Sequence, residues 1–191
     1  MTEKKFDPGK LQKLNDPKRL LDIPPEYVWE KTDIIKPDVL VEIGAGTAFF
    51  SIAFLKHTKN VTIYACDISE TMIRWMKENV YSKYPNIIPR KMEENSVPIG
   101  DGIADMVYMI NLHHELDNPA MILGESRRIL KADGTICIID WKKEDMSEGP
   151  PTHIRYLPEQ VQEQLVNAGF KYVNIFHGMA KHFLVIAKKT P

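Results

Sequence analysis

An α/β fold, with a mostly parallel seven-stranded sheet between two helical layers, is what this 191-residue sequence predicts. Three observations carry it. Apolar, β-branched runs alternate with segments whose apolar residues recur at helical spacing, the pattern of a parallel sheet covered on both faces. The polar clusters fall just after the strand-like runs, where such sheets gather a ligand at their carboxyl edge. The last two runs, Lys171 to His177 and His182 to Ala187, are joined by a turn containing Gly178, which makes them an antiparallel hairpin ending the sheet.

Charge is nearly balanced, 25 basic against 26 acidic side chains, with no block of one sign. That argues against a sequence-independent nucleic-acid or membrane binder, which needs a concentrated basic face. A hydrophobic content of 43% supports one globular domain with a substantial core. Lys4-Lys5 and Lys188-Lys189 read as solvated surface. Cys66 and Cys137 both fall in strand-like runs and match neither a disulfide framework nor a zinc pattern, so a reducing, cytoplasmic setting is expected. No apolar run is long enough to span a membrane and Thr2-Glu3-Lys4-Lys5 is unlike a signal peptide, so a soluble protein without membrane insertion is expected.

Residues 1–32 form an N-terminal segment punctuated by Asp7-Pro8-Gly9, Asp16-Pro17 and Ile23-Pro24-Pro25. Phe6, Leu11, Leu14, Leu20, Leu21, Tyr27, Val28 and Trp29 are too many apolar residues for a disordered tail. Short helices packing on the main domain, 33–191, as cover or lid are expected. Val39 to Ile43 is the first strand, broken at Gly44-Ala45-Gly46 and resumed as helix from Phe49 to Leu55. Val61 to Cys66 is the second strand and ends at Asp67. Ser69 then caps a helix with Met72, Trp75, Met76 and Val80 on its core face.

Asn86 to Arg90 is a short third strand whose Pro89 puts it near a sheet edge. Ala104 to Ile110, after the Asp101-Gly102 turn, is the fourth, ending at Asn111-Leu112-His113-His114-Glu115. Pro119 suits the first turn of a helix carrying Met121, Ile122, Leu123, Ile129 and Leu130, closed by Ala132-Asp133-Gly134. Thr135 to Asp140 is a central fifth strand, followed by a loop from Trp141 to Tyr156 whose length suggests function. Pro158 to Ala168 is the last helix, stopped by Gly169.

Gly44 and Gly46 leave no Cβ where a ligand approaches, and the helix start behind them offers unpaired N–H groups, so a nucleotide-like ligand fits this turn. A dinucleotide G-x-G-x-x-G would need its third glycine at Phe49, and a bulky ring fails there. Asp67 can accept both hydroxyls of a ribose held over the turn. Glu93 and Glu94 follow the third strand, Asn111 to His114 the fourth, and Asp140 to Lys142 close the fifth, so all these clusters share one rim. His113, His114 and Asp140 are candidates for a general base; adjacent side chains after a strand point apart, so only one histidine is expected to serve. Lys142, Lys143 and Arg155 offer charge to an acidic acceptor.

Glu42, Gly44 and Gly46, with Ala48 at the third glycine, resemble the E/D-x-G-x-G-x-G signature of class I S-adenosylmethionine-dependent methyltransferases. Alanine keeps the close approach there provided its φ is negative. Asp67-Ile68-Ser69 with Met72, Ala168-Gly169-Phe170 and the terminal hairpin extend the resemblance over residues 33–188. It implies a Rossmann-like three-layer sandwich and methyl transfer from S-adenosylmethionine to a small molecule. The implied cofactor-binding residues are Glu42, Gly44, Ala45, Gly46, Asp67, Ile68, Met72, Glu93, Glu94 and Asn111, with Glu93 and Glu94 beside the adenine. Leu112-His113-His114-Glu115 looks like the strand-four end of the ubiquinone and menaquinone C-methylating group, which favours His114 as the base. A sulfonium donor is already activated, so no metal is called for, only alignment and exclusion of water. A non-catalytic S-adenosylmethionine-binding protein and a nicotinamide-dependent oxidoreductase are the alternatives.

Overall fold

The structure, a computed structural model, describes residues 8–190. Thr2 to Asp7, with the readings made of Lys4, Lys5 and Phe6 and the first residue of the Asp7-Pro8-Gly9 turn, lie outside the described residues. The strands are β1 Val39–Ile43, β2 Thr62–Asp67, β3 Ile87–Lys91, β4 Ala104–Ile110, β5 Leu130–Trp141, β6 Lys171–Phe176 and β7 His182–Lys188. They form one sheet in the order β3-β2-β1-β4-β5-β7-β6. The first five pair in parallel, and β7 runs antiparallel to both β5 and β6. The chain winds outward from β1 to β3, then returns to lay β4 on the other side of β1. That reversal leaves a crevice outside the carboxyl ends of β1 and β4.

The helices are α1 Arg19–Asp22, α2 Pro25–Thr32, α3 Phe49–Phe54, α4 Glu70–Met76, α5 Pro119–Ile129 and α6 Pro158–Asn167. Alternation along each strand divides the core. Leu40, Ile63, Met106, Tyr108, Cys137 and Ile139 face Val28, Phe50, Phe54, Ile73 and Met76 of α2, α3 and α4. Their neighbours Val41, Ile43, Val107, Met109, Ile136 and Ile138 face Ile122, Leu123, Val161 and Leu165 of α5 and α6. Both faces of the sheet are dry, which is why these strands read as continuous apolar runs. Ser69 Oγ accepts from Met72 N at 3.4 Å as the cap of α4, which runs on into a π-helical stretch at Lys77–Tyr81. Pro89 lies in the edge strand β3.

Two expectations need correction. Ala132-Asp133-Gly134 does not close α5: β5 starts at Leu130 and the three residues form an irregularity inside it, between the pairs Ala104↔Leu130 and Met106↔Thr135. Asp133 N donates to Lys189 O, so the tail beyond β7 holds this bulge in the sheet. Arg155, expected to offer its charge to an acidic acceptor, turns into the long loop instead. It is buried and donates to the carbonyl oxygens of Pro150 at 2.7 Å, Lys142 at 3.1 Å, Glu144 at 2.9 Å and Glu148 at 3.1 Å, folding the long loop around its guanidinium.

Residues 8–32 pack against the sheet's helical layer. A 3-10 stretch at Pro8–Asn15 leads to α1 and α2. Val28 is buried and Trp29 lies against Phe54 of α3 with ring centroids 6.0 Å apart. Among the described residues, no helix is long and apolar enough to cross a membrane.

Candidate functional site

The carboxyl rim of the sheet and the N-terminal segment enclose a cavity of about 1160 Å³. Sheet order arranges its polar groups: Asp67 from β2, the glycine turn from β1, Asn111 and His114 from beyond β4, Trp141 from β5 and His182 from β7.

The glycine turn hangs from β2. Gly44 N and Ala45 N donate to Cys66 O at 2.9 and 3.0 Å, and Gly46 N donates to Asp67 Oδ2 at 2.8 Å. Gly44 and Gly46 sit at φ +72° and +55°, left-handed backbone in which a side chain is strained. Ala48 departs from the expected negative φ, standing at +56° as the residue before α3. It is fully buried and does not line the cavity, so its methyl meets the core and no ligand contact is at stake.

Asp67 is buried, and its second oxygen accepts from Ser69 N at 2.8 Å. Burial raises its pKa, while the N–H groups of Ser69 and Gly46 oppose that rise. Each carboxylate oxygen keeps a lone pair for a ligand hydroxyl. Glu42 lies beneath the turn at the cavity wall, where it accepts from Ser51 Oγ at 2.5 Å and from Tyr108 OH at 3.3 Å. Burial pushes its carboxyl up to about 7, against the pull of Ser51, Arg19 and Tyr108.

Ala45, Ile68, Met72 and Glu94 also line the cavity. Glu93 does not: its side chain is 84% exposed and lies 3.9 Å from Lys91. Asn111 takes φ +56°, and its buried Oδ1 has no hydrogen-bond partner. An orphaned acceptor on a strained residue at a cavity wall marks a place for a donor.

The two histidines diverge. His113 turns out of the cavity toward α6, with Nε2 2.7 Å from Gln164 Oε1 and its ring against Tyr156. Burial lowers its pKa. His114 lines the cavity, with Nδ1 2.7 Å from Asp140 Oδ1 and its backbone N–H donating to Asp140 Oδ2 at 2.9 Å. A carboxylate partner fixes the proton on Nδ1 and leaves the lone pair on Nε2. Burial opposes the charged ring, but Asp140 and Glu115, whose Oε1 lies 3.8 Å from Nε2, together outweigh it, so the pKa of His114 is raised.

His182, which the sequence expectations passed over, lines the same cavity as the first residue of β7, opposite Trp141. The usable signal was direction: an antiparallel strand brings its first residue, and not its last, to the carboxyl rim of its parallel neighbours. Lys142 and Lys143 lie outside this cavity, in a smaller depression with His177.

Comparison with known proteins agrees with this geometry. The methyltransferase domain family matches residues 41–138, more than half of the chain. The crystal structure of a S-adenosylmethionine-dependent methyltransferase from Aquifex aeolicus is similar, with a TM-score of 0.91 and 32% identity, covering 97% of this chain and 100% of that one. The tRNA(Phe) (4-demethylwyosine(37)-C(7)) aminocarboxypropyltransferase of Methanocaldococcus jannaschii is 26% identical over 153 residues, 79% of this chain. The malonyl-(acyl-carrier protein) O-methyltransferase of Geobacter sulfurreducens is 21% identical over 158 residues, 74% of this chain. In each case the match spans 59% of the length of the curated relative.

Proposed function

The chain belongs to the class I S-adenosylmethionine-dependent methyltransferases, and from that premise we propose that it transfers the donor's methyl group to a small-molecule acceptor. The observation that carries this is the order of groups along one rim. Asp67 and the glycine turn stand toward β2, Asn111 with its orphaned Oδ1 follows β4, and the His114–Asp140 pair lies toward β5. These residues fit the donor: Asp67 for the ribose hydroxyls, Ile68 and Met72 with Glu94 for the adenine, and Asn111 Oδ1 for the ammonium group. When bound, S-adenosylmethionine supplies a methyl group already activated by its sulfonium. His114 holds its Nε2 lone pair toward the acceptor side and takes the proton that the acceptor loses, while Asp140 orients the ring and stabilises its charge.

Residues 8–32 act as a lid in this reading. Leu14, Arg19, Asp22 and Ile23 line the cavity, and a Leu14 methyl carbon would stand 2.9 Å from a Cβ added at Gly46. Cover of this kind keeps water from the transfer. Within the family, the Leu112-to-Glu115 segment supports the ubiquinone- and menaquinone-type C-methylating group. Phe49, where a dinucleotide turn needs glycine, opens α3 and lines the cavity, which weighs against a nicotinamide cofactor.

Titration calorimetry with S-adenosylmethionine and with NAD tests the donor, and release of S-adenosylhomocysteine in the presence of an acceptor tests catalysis against mere binding. Asp67→Ala is expected to weaken S-adenosylmethionine binding by roughly ten- to a hundredfold, about 1.5–3 kcal/mol for hydrogen bonds to a charged acceptor. Equal affinity in a folded variant would remove the ribose assignment.

A further inference from the structure

His182 ends the rim. Its ring is 1% exposed, lines the cavity, and has no hydrogen-bond partner at Nδ1 or Nε2. A buried imidazole unpaired at both nitrogens has given up the hydrogen bonds water offered, and a ligand polar group would restore them. Its position is held. Trp141 packs on it with ring centroids 4.3 Å apart and planes at 44°. The backbone at Gly149 closes on the indole in turn, where an added Cβ would sit 2.9 Å from the ring.

Lys181 and Asp140, near His182, have charged partners, while Arg19 donates to a neutral carbonyl oxygen. Lys181 pairs with Asp22 at 2.9 Å and with Glu148, Asp140 pairs with His114, and Arg19 donates to Leu14 O at 2.5 Å. Asp140 and Asp22 favour the charged ring while Lys181 and Arg19 oppose it. Burial outweighs the carboxylates and holds the pKa down to about 4. At neutral pH the ring is uncharged, with one N–H to donate and one lone pair to accept. Lys13 and Lys18, the other cations lining the cavity, are exposed on the N-terminal segment. Lys181 and Arg19 both act on the ring, and of the two only Lys181 is paired with carboxylates among the described residues.

We propose that His182 is the acceptor-recognition residue, which hydrogen-bonds an uncharged hydroxyl, amide or ring N–H group and so selects polar acceptors over purely apolar molecules. The proposal rests on the methyltransferase reading of the same cavity. A hydrocarbon brought here would leave both nitrogens unpaired.

The test uses the full chain saturated with S-adenosylhomocysteine, whose binding is first verified by calorimetry; absence of that binding would reject the methyltransferase reading itself. The loaded protein is then titrated with phenol and toluene. Phenol is expected to bind about two- to tenfold tighter than toluene, the range of one net hydrogen bond. His182→Phe should erase the preference for phenol over toluene, and His182→Gln, which keeps a donor and an acceptor, should retain part of it. S-adenosylhomocysteine affinity should be unchanged in both variants. Equal binding of phenol and toluene by the wild type, no binding of either probe, or a phenol preference that survives in His182→Phe would each overturn the proposal. If His182→Phe fails to fold, the wild-type ranking and the Gln variant still decide it.

Discussion

At the scale of single residues, Glu42 carries a measurable consequence of burial. Its carboxyl moves from the ordinary 4.5 to about 7 on folding, because desolvation outweighs the hydrogen bond from Ser51 and the attraction of Arg19. Between those values the folded chain holds a proton that the unfolded chain has lost. The contribution of this group to stability is therefore complete below about 4.5, falls as pH rises to about 7, and is flat above; the fall is up to about 3 kcal/mol. Glu42→Gln keeps an acceptor for Ser51 and removes the titration, so denaturant unfolding at pH 5 and pH 8 should show the wild type losing more stability than the variant. Parallel losses would mean that Glu42 ionises normally. Residue identity made Glu42, the glycines and Asp67 legible in the sequence, because strand ends before glycine turns are few. It did not reveal the left-handed φ of Ala48 or the burial of Arg155. Both depend on what neighbouring backbone does: a turn that must close onto α3, and four carbonyl groups collected from a loop.

At the scale of elements, the sequence was most informative where a strand is dry on both faces, as in β1, β2, β4 and the apolar part of β5, since a continuous apolar run bounded by polar residues has few other readings. It was weakest at the start of β5, where pairing with β4 and with the tail overrides Ala132-Asp133-Gly134, a good turn by local chemistry. It was silent on how separate elements meet. Lys181, in the turn between β6 and β7, reaches Asp22 of α1 and Glu148 of the long loop, so one ammonium joins three segments over the cavity. These partners are partly exposed, and such pairs contribute about 0–1 kcal/mol to stability. If residues 8–32 act as the proposed lid, the effect of these pairs should appear in its opening. Lys181→Ala is expected to leave the melting temperature nearly unchanged and to speed S-adenosylhomocysteine dissociation several-fold in stopped flow. Added salt should speed wild-type release toward the variant's rate, because exposed pairs are screened. A release rate indifferent to both the substitution and salt would leave these contacts as surface detail.

At the scale of the whole molecule, the topology brings together what the sequence holds 26 residues apart. β4 and β5 are parallel neighbours, so His114, just past the end of β4, meets the last residues of β5, and Asp140 receives both the ring and the backbone N–H of His114. His113, one residue earlier, is turned to Gln164 on α6 by the same backbone. If His114 is the base, methyl transfer should rise with pH through a group above the ordinary histidine value of 6.5, because Asp140 and Glu115 favour the charged ring over the opposing effect of burial. His114→Gln should remove that limb and lower the single-turnover rate by roughly a hundredfold or more, with cofactor affinity nearly intact. His113→Gln should leave the limb in place. Asp140→Asn separates orientation from mere proximity. With the carboxylate gone, burial acts on His114 unopposed by its strongest partner, so the limb should move to lower pH even as the maximal rate falls. A limb that stays in place in Asp140→Asn, or a His114→Gln profile matching wild type, would detach this pair from proton transfer and leave alignment and exclusion of water as the protein's whole contribution.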